Sequence, residues 1–253
     1  MILAWYGSAY LLTSCSFQLL FGKFYTFYSP KWVFLINVLL FNVGSAICGA
    51  APSSTVLIIG RAVSGIGASG INAGVILIFT RVVPPAWSPM CTGFLGAVFG
   101  LAAVLGPIIG GALATYATWN WIFWINLPAG LFTAVVVGAF LHMPAPKKIK
   151  GLSNHFDQFD LIGTFLFFPS VIALLLALQW GGTTFAWSSG QIIGLFVTAG
   201  VLFNMFIGTE IWQGEGAIVP PRIFKQKNIL AGIFFSFCLG ASLMTTVYYL
   251  PIW

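Results

Sequence analysis

Long stretches of this chain carry no charged residue, and they constrain the fold more than any other feature. The stretches 1–22, 161–209 and 229–253 contain no Lys, Arg, Asp or Glu, and only 6% of the 253 residues are charged. A soluble domain has roughly a quarter charged residues, so this chain cannot cover itself with a water-facing surface. In lipid every backbone N–H and C=O needs an internal partner, which leaves helices or a closed barrel. Barrel strands alternate apolar and polar residues, and the continuous runs here favour helices.

The apolar stretches divide into about eight membrane crossings, because one crossing needs about 20 residues. Polar or turn-forming segments separate them, among them GAAPSS at 49–54, TYATWN at 115–120 and GGTTFAWSSG at 181–190. We therefore predict an all-α polytopic membrane protein, a helical bundle with about eight transmembrane helices present. The predicted order is five helices in 1–142, a loop at 143–160, two helices in 161–211, a loop at 212–228 and one helix in 229–253.

The basic residues indicate how these helices are oriented. Nine of the ten lie in the first, third, fifth and seventh loops between the predicted helices. Positively charged loops stay in the cytoplasm, so these loops are predicted to be cytoplasmic and the N-terminus exoplasmic. The net charge of +6 is then a topology signal, and we expect no nucleic-acid partner. An exoplasmic start and an apolar last segment also suggest that helices are missing at both ends.

Arg61 is the tenth basic residue, placed inside a predicted helix about two turns from its exoplasmic end. A charge at that depth is costly and is normally buried in the bundle or in a wet cavity, beside a partner. The alternative is that the guanidinium reaches the nearby interface while its aliphatic stem lies in lipid. We favour a functional or core position for Arg61.

Small residues recur at helical spacing around Arg61 and in the helix that follows. Residues of this kind let helix backbones approach closely, and a proline inside a helix removes a hydrogen bond and bends it. Ordinary packing accounts for any single glycine, whereas a run that ends in GPIIGG favours a specific contact or bend. The residues that stand out are Gly65, Gly106, Pro107, Gly110 and Gly111.

The predicted helices offer few other groups for chemistry. All four acidic residues fall in or beside cytoplasmic loops, whereas a proton-coupled transporter generally needs an intramembrane acid. The four cysteines are dispersed, and the chain has no serine–histidine–acid grouping, HExxH motif or phosphate loop. We therefore expect no enzyme activity, no metal and no cofactor. Neutral polar and aromatic groups would suit a pathway for amphipathic organic molecules, and the candidates are Gln18, Asn72, Asn126 and Tyr248.

Several segments resemble a known family along nearly the whole chain. IIGRAVSGIGASG at 58–70 resembles the arginine motif in the fourth helix of the major facilitator superfamily, with Arg61 as the arginine. GFLGAVFGLAAVLGPIIGG at 93–111 resembles the antiporter motif of the fifth helix and is the most specific match. FWINLPAG at 123–130 and VYYLPIW at 247–253 resemble later helices. The branch resembled is that of the fungal fourteen-helix drug:proton antiporters, which export toxins and xenobiotics.

The loop at 22–32 departs from the family pattern. A glycine–aspartate–arginine–glycine motif usually stands there, and Gly22, Lys23 and Lys31 would be what remains of it. Thr26 stands at the aspartate position and Phe27 at the arginine position, which puts the usual cytoplasmic gate in doubt. In this alignment the chain corresponds to family helices two through nine. Five belong to the first half, two form an inserted linker and one begins the second half.

The resemblance implies a transporter with two six-helix halves around a midplane site that opens alternately to each side. It implies proton-coupled efflux of drugs, toxins or secondary metabolites, with a small amphipathic substrate, protons and membrane lipid as partners. The expected location is the plasma membrane, with the vacuolar membrane as alternative. Arg61 would serve proton coupling or closure, and Gly106, Pro107 and Gly110 would shape a bend that favours export. A truncated fragment that does not transport, a membrane enzyme and a passive facilitator are the alternatives.

Overall fold

The computed structural model describes residues 2–143, 161–213 and 226–249, and these residues are almost entirely helical. A single bridge between Gly181 and Phe185 is the one β-type pairing within these ranges. The predicted all-helical fold is therefore confirmed. In chain order the helices are α1 (Ile2–Phe27), α2 (Pro30–Gly49), α3 (Ser54–Val82), α4 (Ser88–Tyr116), α5 (Trp121–Trp124), α6 (Asn126–Phe140), α7 (Leu161–Trp180), α8 (Gly190–Gln213) and α9 (Lys227–Tyr249).

Most of these helices have the length and apolar character of a membrane crossing. Helix α1 is 26 residues long and contains several serines and tyrosines as well as Gln18 and Lys23. Helix α9 is apolar over Lys227–Leu243. Most of the predicted loops 143–160 and 212–228 lies outside the described residues. The six segments of the described chain that are long and apolar enough to cross are Pro30–Gly49, Ser54–Val82, Ser88–Tyr116, Trp121–Phe140, Ile162–Trp180 and Gly190–Gln213.

Helix α1 ends at Phe27, five residues beyond the boundary expected from the charge of Lys23. The reason is Tyr25, which is a core residue with only 1% of its surface exposed. Its hydroxyl donates a hydrogen bond of 2.9 Å to the carbonyl oxygen of Gly70 on α3. Helix α2 then begins at Pro30, a residue suited to the first helical turn because no N–H partner is needed there.

Helices α1, α2 and α3 form the packed centre of the protein. A glycine-rich face of α3 lies against α2, and a Cβ added at Gly67 would meet the backbone of Phe41 and, at 2.7 Å, the carbonyl oxygen of Asn37. Backbone atoms cannot move aside, so this contact depends on glycine. The buried apolar cluster beside it consists of Phe21, Tyr25, Val33, Phe34 and Val38.

Helices α7 and α8 form a second pair that packs against α1. Between the two, the Ser170 hydroxyl donates to the carbonyl oxygen of Ala199 at 3.0 Å. Toward α1, the rings of Phe17 and Phe168 meet edge to face with their centres 4.9 Å apart, a favoured aromatic geometry. The turn between the pair includes Gly182 with a φ of +73°, a conformation that glycine adopts at little cost.

Candidate functional site

Arg61 lies in the third turn of α3, where two residues of α1 contact it. Its Nε donates to the carbonyl oxygen of Tyr6 at 2.8 Å. Its guanidinium carbon lies 4.4 Å from the centre of the Tyr10 ring, an attraction of about 0.5–2 kcal/mol for a cation over a tyrosine face. The side chain is half-buried. These contacts direct the charge toward α1 rather than toward surrounding lipid.

A cavity of about 630 Å³ lies beside Arg61, and this volume is typical of small-molecule sites. Arg61 supplies a positive charge, and the Tyr6 hydroxyl donates to the Ser54 hydroxyl at 2.8 Å. The remaining wall is mainly apolar and aromatic. Such a lining suits an amphipathic organic molecule. The residues that line the cavity are Tyr6, Gly7, Ala51, Pro52, Ser53, Ser54, Leu57, Arg61, Trp119, Ile122 and Phe123.

The cavity lies at the end of the bundle that the charge pattern assigns to the exoplasmic side. The turn between α2 and α3 contributes residues 51–53 to the lining and carries no charge. The turn between α1 and α2, at the opposite end of α2, is flanked by Lys23 and Lys31. The positive-inside rule predicts that the uncharged end faces away from the cytoplasm.

Gly65 lies one turn beyond Arg61 and is part of the same contact between α1 and α3. A Cβ added there would touch the Thr13 hydroxyl and the carbonyl oxygen of Tyr10. The small residue therefore allows α1 to approach closely enough for Tyr6 and Tyr10 to contact Arg61. In this way the structure brings Arg61 and Gly65, two of the sequence-predicted residues, into one site.

The candidate residues of α4 lie apart from that site. The helix, including its internal Pro107, contains no buried residue, and its contacts are chiefly with α5. Among the described residues, nothing lies within 4 Å of a Cβ added at Gly106, Gly110 or Gly111. The run of small residues is therefore an open face on this part of the chain.

The three residues of the cytoplasmic loop motif do not form one cluster. Gly22 is exposed and Lys23 half-buried, and both lie within α1. Lys31 lies in the first turn of α2, and its Nζ donates to the carbonyl oxygen of Gly138 near the end of α6 at 2.6 Å. Lys31 thus contacts a residue near the end of another helix.

The four proposed pathway residues are dispersed. Gln18 is half-buried on α1, Asn72 is exposed on α3, and Asn126 is half-buried at the start of α6. None of these three lines the Arg61 cavity. Tyr248 belongs to the last turn of α9, and its side chain lies outside the described residues.

Sequence reasoning missed the aromatic residues that complete the Arg61 cavity. Tyr6 lines the cavity and Tyr10 contacts Arg61 beside it, and the two are four residues apart on α1. Trp119, in the turn before α5, and Phe123, within α5, complete the opposite wall. Residues four apart lie on one face of a helix, so the tyrosine pair was visible in the sequence. The spacing alone does not tell which face meets Arg61. For metals, the described residues hold no group of three or more His, Cys, Asp or Glu side chains that could bind one.

Apolar helices long enough to cross a membrane, around a cavity beside the half-buried Arg61, are typical of integral membrane transporters. The family model described as Major Facilitator Superfamily matches residues 2–253, and the chain belongs to that family.

Curated fungal proteins are similar over almost the whole chain. The MFS-type transporter VdtG of Byssochlamys spectabilis is 51% identical over 252 residues, which cover 99% of this chain and 45% of that protein. The MFS-type efflux pump MFS1 of Trichophyton rubrum is 50% identical, with 99% and 47% covered. The efflux pump aflT of Aspergillus parasiticus is 47% identical, with 99% and 49% covered. The chain thus spans about half the length of the curated relatives it matches.

Proposed function

We propose that the protein serves the export of small amphipathic organic molecules across a membrane, in exchange for protons, by alternating access. The observation that carries this proposal is Arg61, a half-buried cation beside a cavity of small-molecule size. Two of the similar fungal proteins are named efflux pumps, which supports the direction of transport. In this proposal the membrane is the plasma membrane, and fractionation of the tagged chain distinguishes it from the vacuolar membrane.

Arg61 and the small residues have different roles in this proposal. The guanidinium would attract a deprotonated or anionic molecule in the cavity. Binding in the cavity would therefore depend on the charge of that molecule. Gly65 would keep α1 close to α3. On α4, Gly106, Gly110 and Gly111 would receive another helix backbone in one state of the cycle, and Pro107 would permit the accompanying bend.

A second candidate function is that these 253 residues do not transport by themselves. The observation that favours it is the open face of α4, a helix of 29 residues with no buried residue in the described structure. Small residues on a membrane helix usually meet another helix. The same experiment separates the two candidates.

The experiment measures transport by the purified chain in liposomes with an acidic interior. Ethidium and lucifer yellow serve as probes, because their permanent charges prevent passive trapping by protonation. We expect one of them to accumulate faster than in protein-free liposomes and the difference to vanish with a protonophore. If the protein is folded and inserted but neither probe accumulates faster than in protein-free liposomes, the proposal for this chain is overturned and the second candidate is favoured.

A further inference from the structure

Two hydrogen bonds join α2 to the segment formed by α5 and α6, one at each end of the pair. At the exoplasmic end, the Asn120 side chain donates from Nδ2 to the carbonyl oxygen of Gly49, the last residue of α2, at 2.7 Å. At the cytoplasmic end, Lys31 donates from Nζ to the carbonyl oxygen of Gly138, two residues before α6 ends, at 2.6 Å. Each helix thus receives a donor from the other at its own C-terminus.

Both acceptors are carbonyl groups that their own helix leaves unpaired. The last four carbonyls of a helix have no partner in the next turn, and an unpaired carbonyl at membrane depth is costly. In α6 the final intrahelical bond runs from the N–H of Leu141 to the carbonyl of Val137, so Gly138 lies just beyond it. The positive charge of Lys31 also interacts favourably with the negative end of the α6 dipole.

The helices approach closely at the Asn120 bond and midway along the pair. A Cβ added at Gly49 would lie 2.8 Å from Nε1 of Trp124, and one added at Gly130 would touch the Asn42 side chain. Asn120 and Trp124 are four residues apart and both contact Gly49. The exoplasmic bond therefore belongs to a packed contact and not to an isolated surface pair.

We propose that Lys31 and Asn120 clamp α2 and the α5–α6 segment into one rigid pair, and that Asn120 is a positioning residue for the Arg61 cavity. Trp119, Ile122 and Phe123 flank Asn120 and form one wall of that cavity. When Asn120 holds Gly49, it fixes this wall against the end of α2. The inference goes beyond the proposed function and does not depend on it, because helix geometry can be measured without transport.

The test is hydrogen exchange, followed by mass spectrometry, on the full 253-residue chain in lipid nanodiscs. Lys31→Met and Asn120→Asp each remove one donor with little change in side-chain length. For Lys31→Met we expect roughly tenfold faster exchange at the end of α6, as for one lost hydrogen bond. For Asn120→Asp we expect a similar change in 46–51 and 119–124, while α3 exchanges at its original rate. Lys31→Arg and Asn120→Gln keep a donor and should restore slow exchange.

Two control variants show whether loss of a positive charge, or replacement of an amide by a carboxylate, changes exchange without affecting either clamp bond. Arg81→Met removes an exposed cation on the same membrane side. Asn204→Asp changes an exposed amide that donates within its own helix, to Gly200. Three results would each overturn the proposal. Exchange could rise equally along the whole chain, it could rise equally in the control variants, or it could stay unchanged in both clamp variants.

Discussion

Replacing Gly67 by alanine is expected to destabilise the protein through the contact between α2 and α3. The added Cβ would lie 2.7 Å from the carbonyl oxygen of Asn37 and would also meet the backbone nitrogen of Phe41. Ordinary contacts between heavy atoms are about 3.5 Å, so the two helices would have to separate by roughly 1 Å. Overpacking of this kind costs about 1–3 kcal/mol, which offsets the gain of about 1 kcal/mol in helix propensity.

Gly96→Ala on α4 is the matched control, because an added Cβ there has no atom of the described structure within 4 Å. Both variants are measured by reversible unfolding in mixed detergent micelles, followed by circular dichroism. We expect a lower free energy of unfolding for Gly67→Ala and an equal or slightly higher one for Gly96→Ala. Equal effects of the two substitutions would refute the reasoning, since the same residue change would then act independently of its surroundings.

Two further predictions concern one buried hydrogen bond and the orientation of the helices in the membrane. Tyr25→Phe removes the hydroxyl that donates to the Gly70 carbonyl and should lower the free energy of unfolding by about 1 kcal/mol in the same assay; unchanged stability would contradict the importance of this bond. A cysteine at Ser53, in the uncharged turn, should react with an impermeant thiol reagent added outside intact cells. A cysteine at Ser29 should react only after permeabilisation, with the wild-type chain as background, and the reverse pattern would contradict the orientation assigned from the charges.

The fold could be predicted largely from the sequence because the membrane leaves few choices. A charge-free run of about 20 residues must form a helix in lipid, and this single requirement predicts both the helices and their order. Charge is a weaker guide to helix ends. The charge of Lys23 predicts a helix end at residue 22, yet α1 continues to Phe27 because Tyr25 is buried against α3. No local pattern reveals that tertiary contact.

The site was predictable only in part. A lone arginine inside an apolar run is expensive, so Arg61 is conspicuous in the sequence. Its surroundings depend on which faces of α1 and α5 meet it, and spacing does not decide that. The small residues of α3 and α4 look alike in the sequence. Those of α3 lie against neighbouring backbone, whereas Gly106 and Gly110 face open space in the described structure.

The contact that Lys31 makes could not be predicted from its position in the family motif. The sequence places it in the remnant of a loop motif, next to the substituted positions Thr26 and Phe27. In the structure it donates to a carbonyl near the end of α6. That acceptor is 107 residues away, so no sequence spacing could have indicated it.

Transport by Arg61 variants in the acidic-interior liposomes tests the central claim most directly. Arg61→Gln removes the charge beside the cavity, Arg61→Lys keeps a charge but loses the planar guanidinium, and Arg81→Gln removes an exposed charge elsewhere. The account predicts loss of proton-driven probe accumulation in Arg61→Gln, partial activity in Arg61→Lys and wild-type rates in Arg81→Gln. Undiminished accumulation by folded Arg61→Gln would contradict the role assigned to this cation.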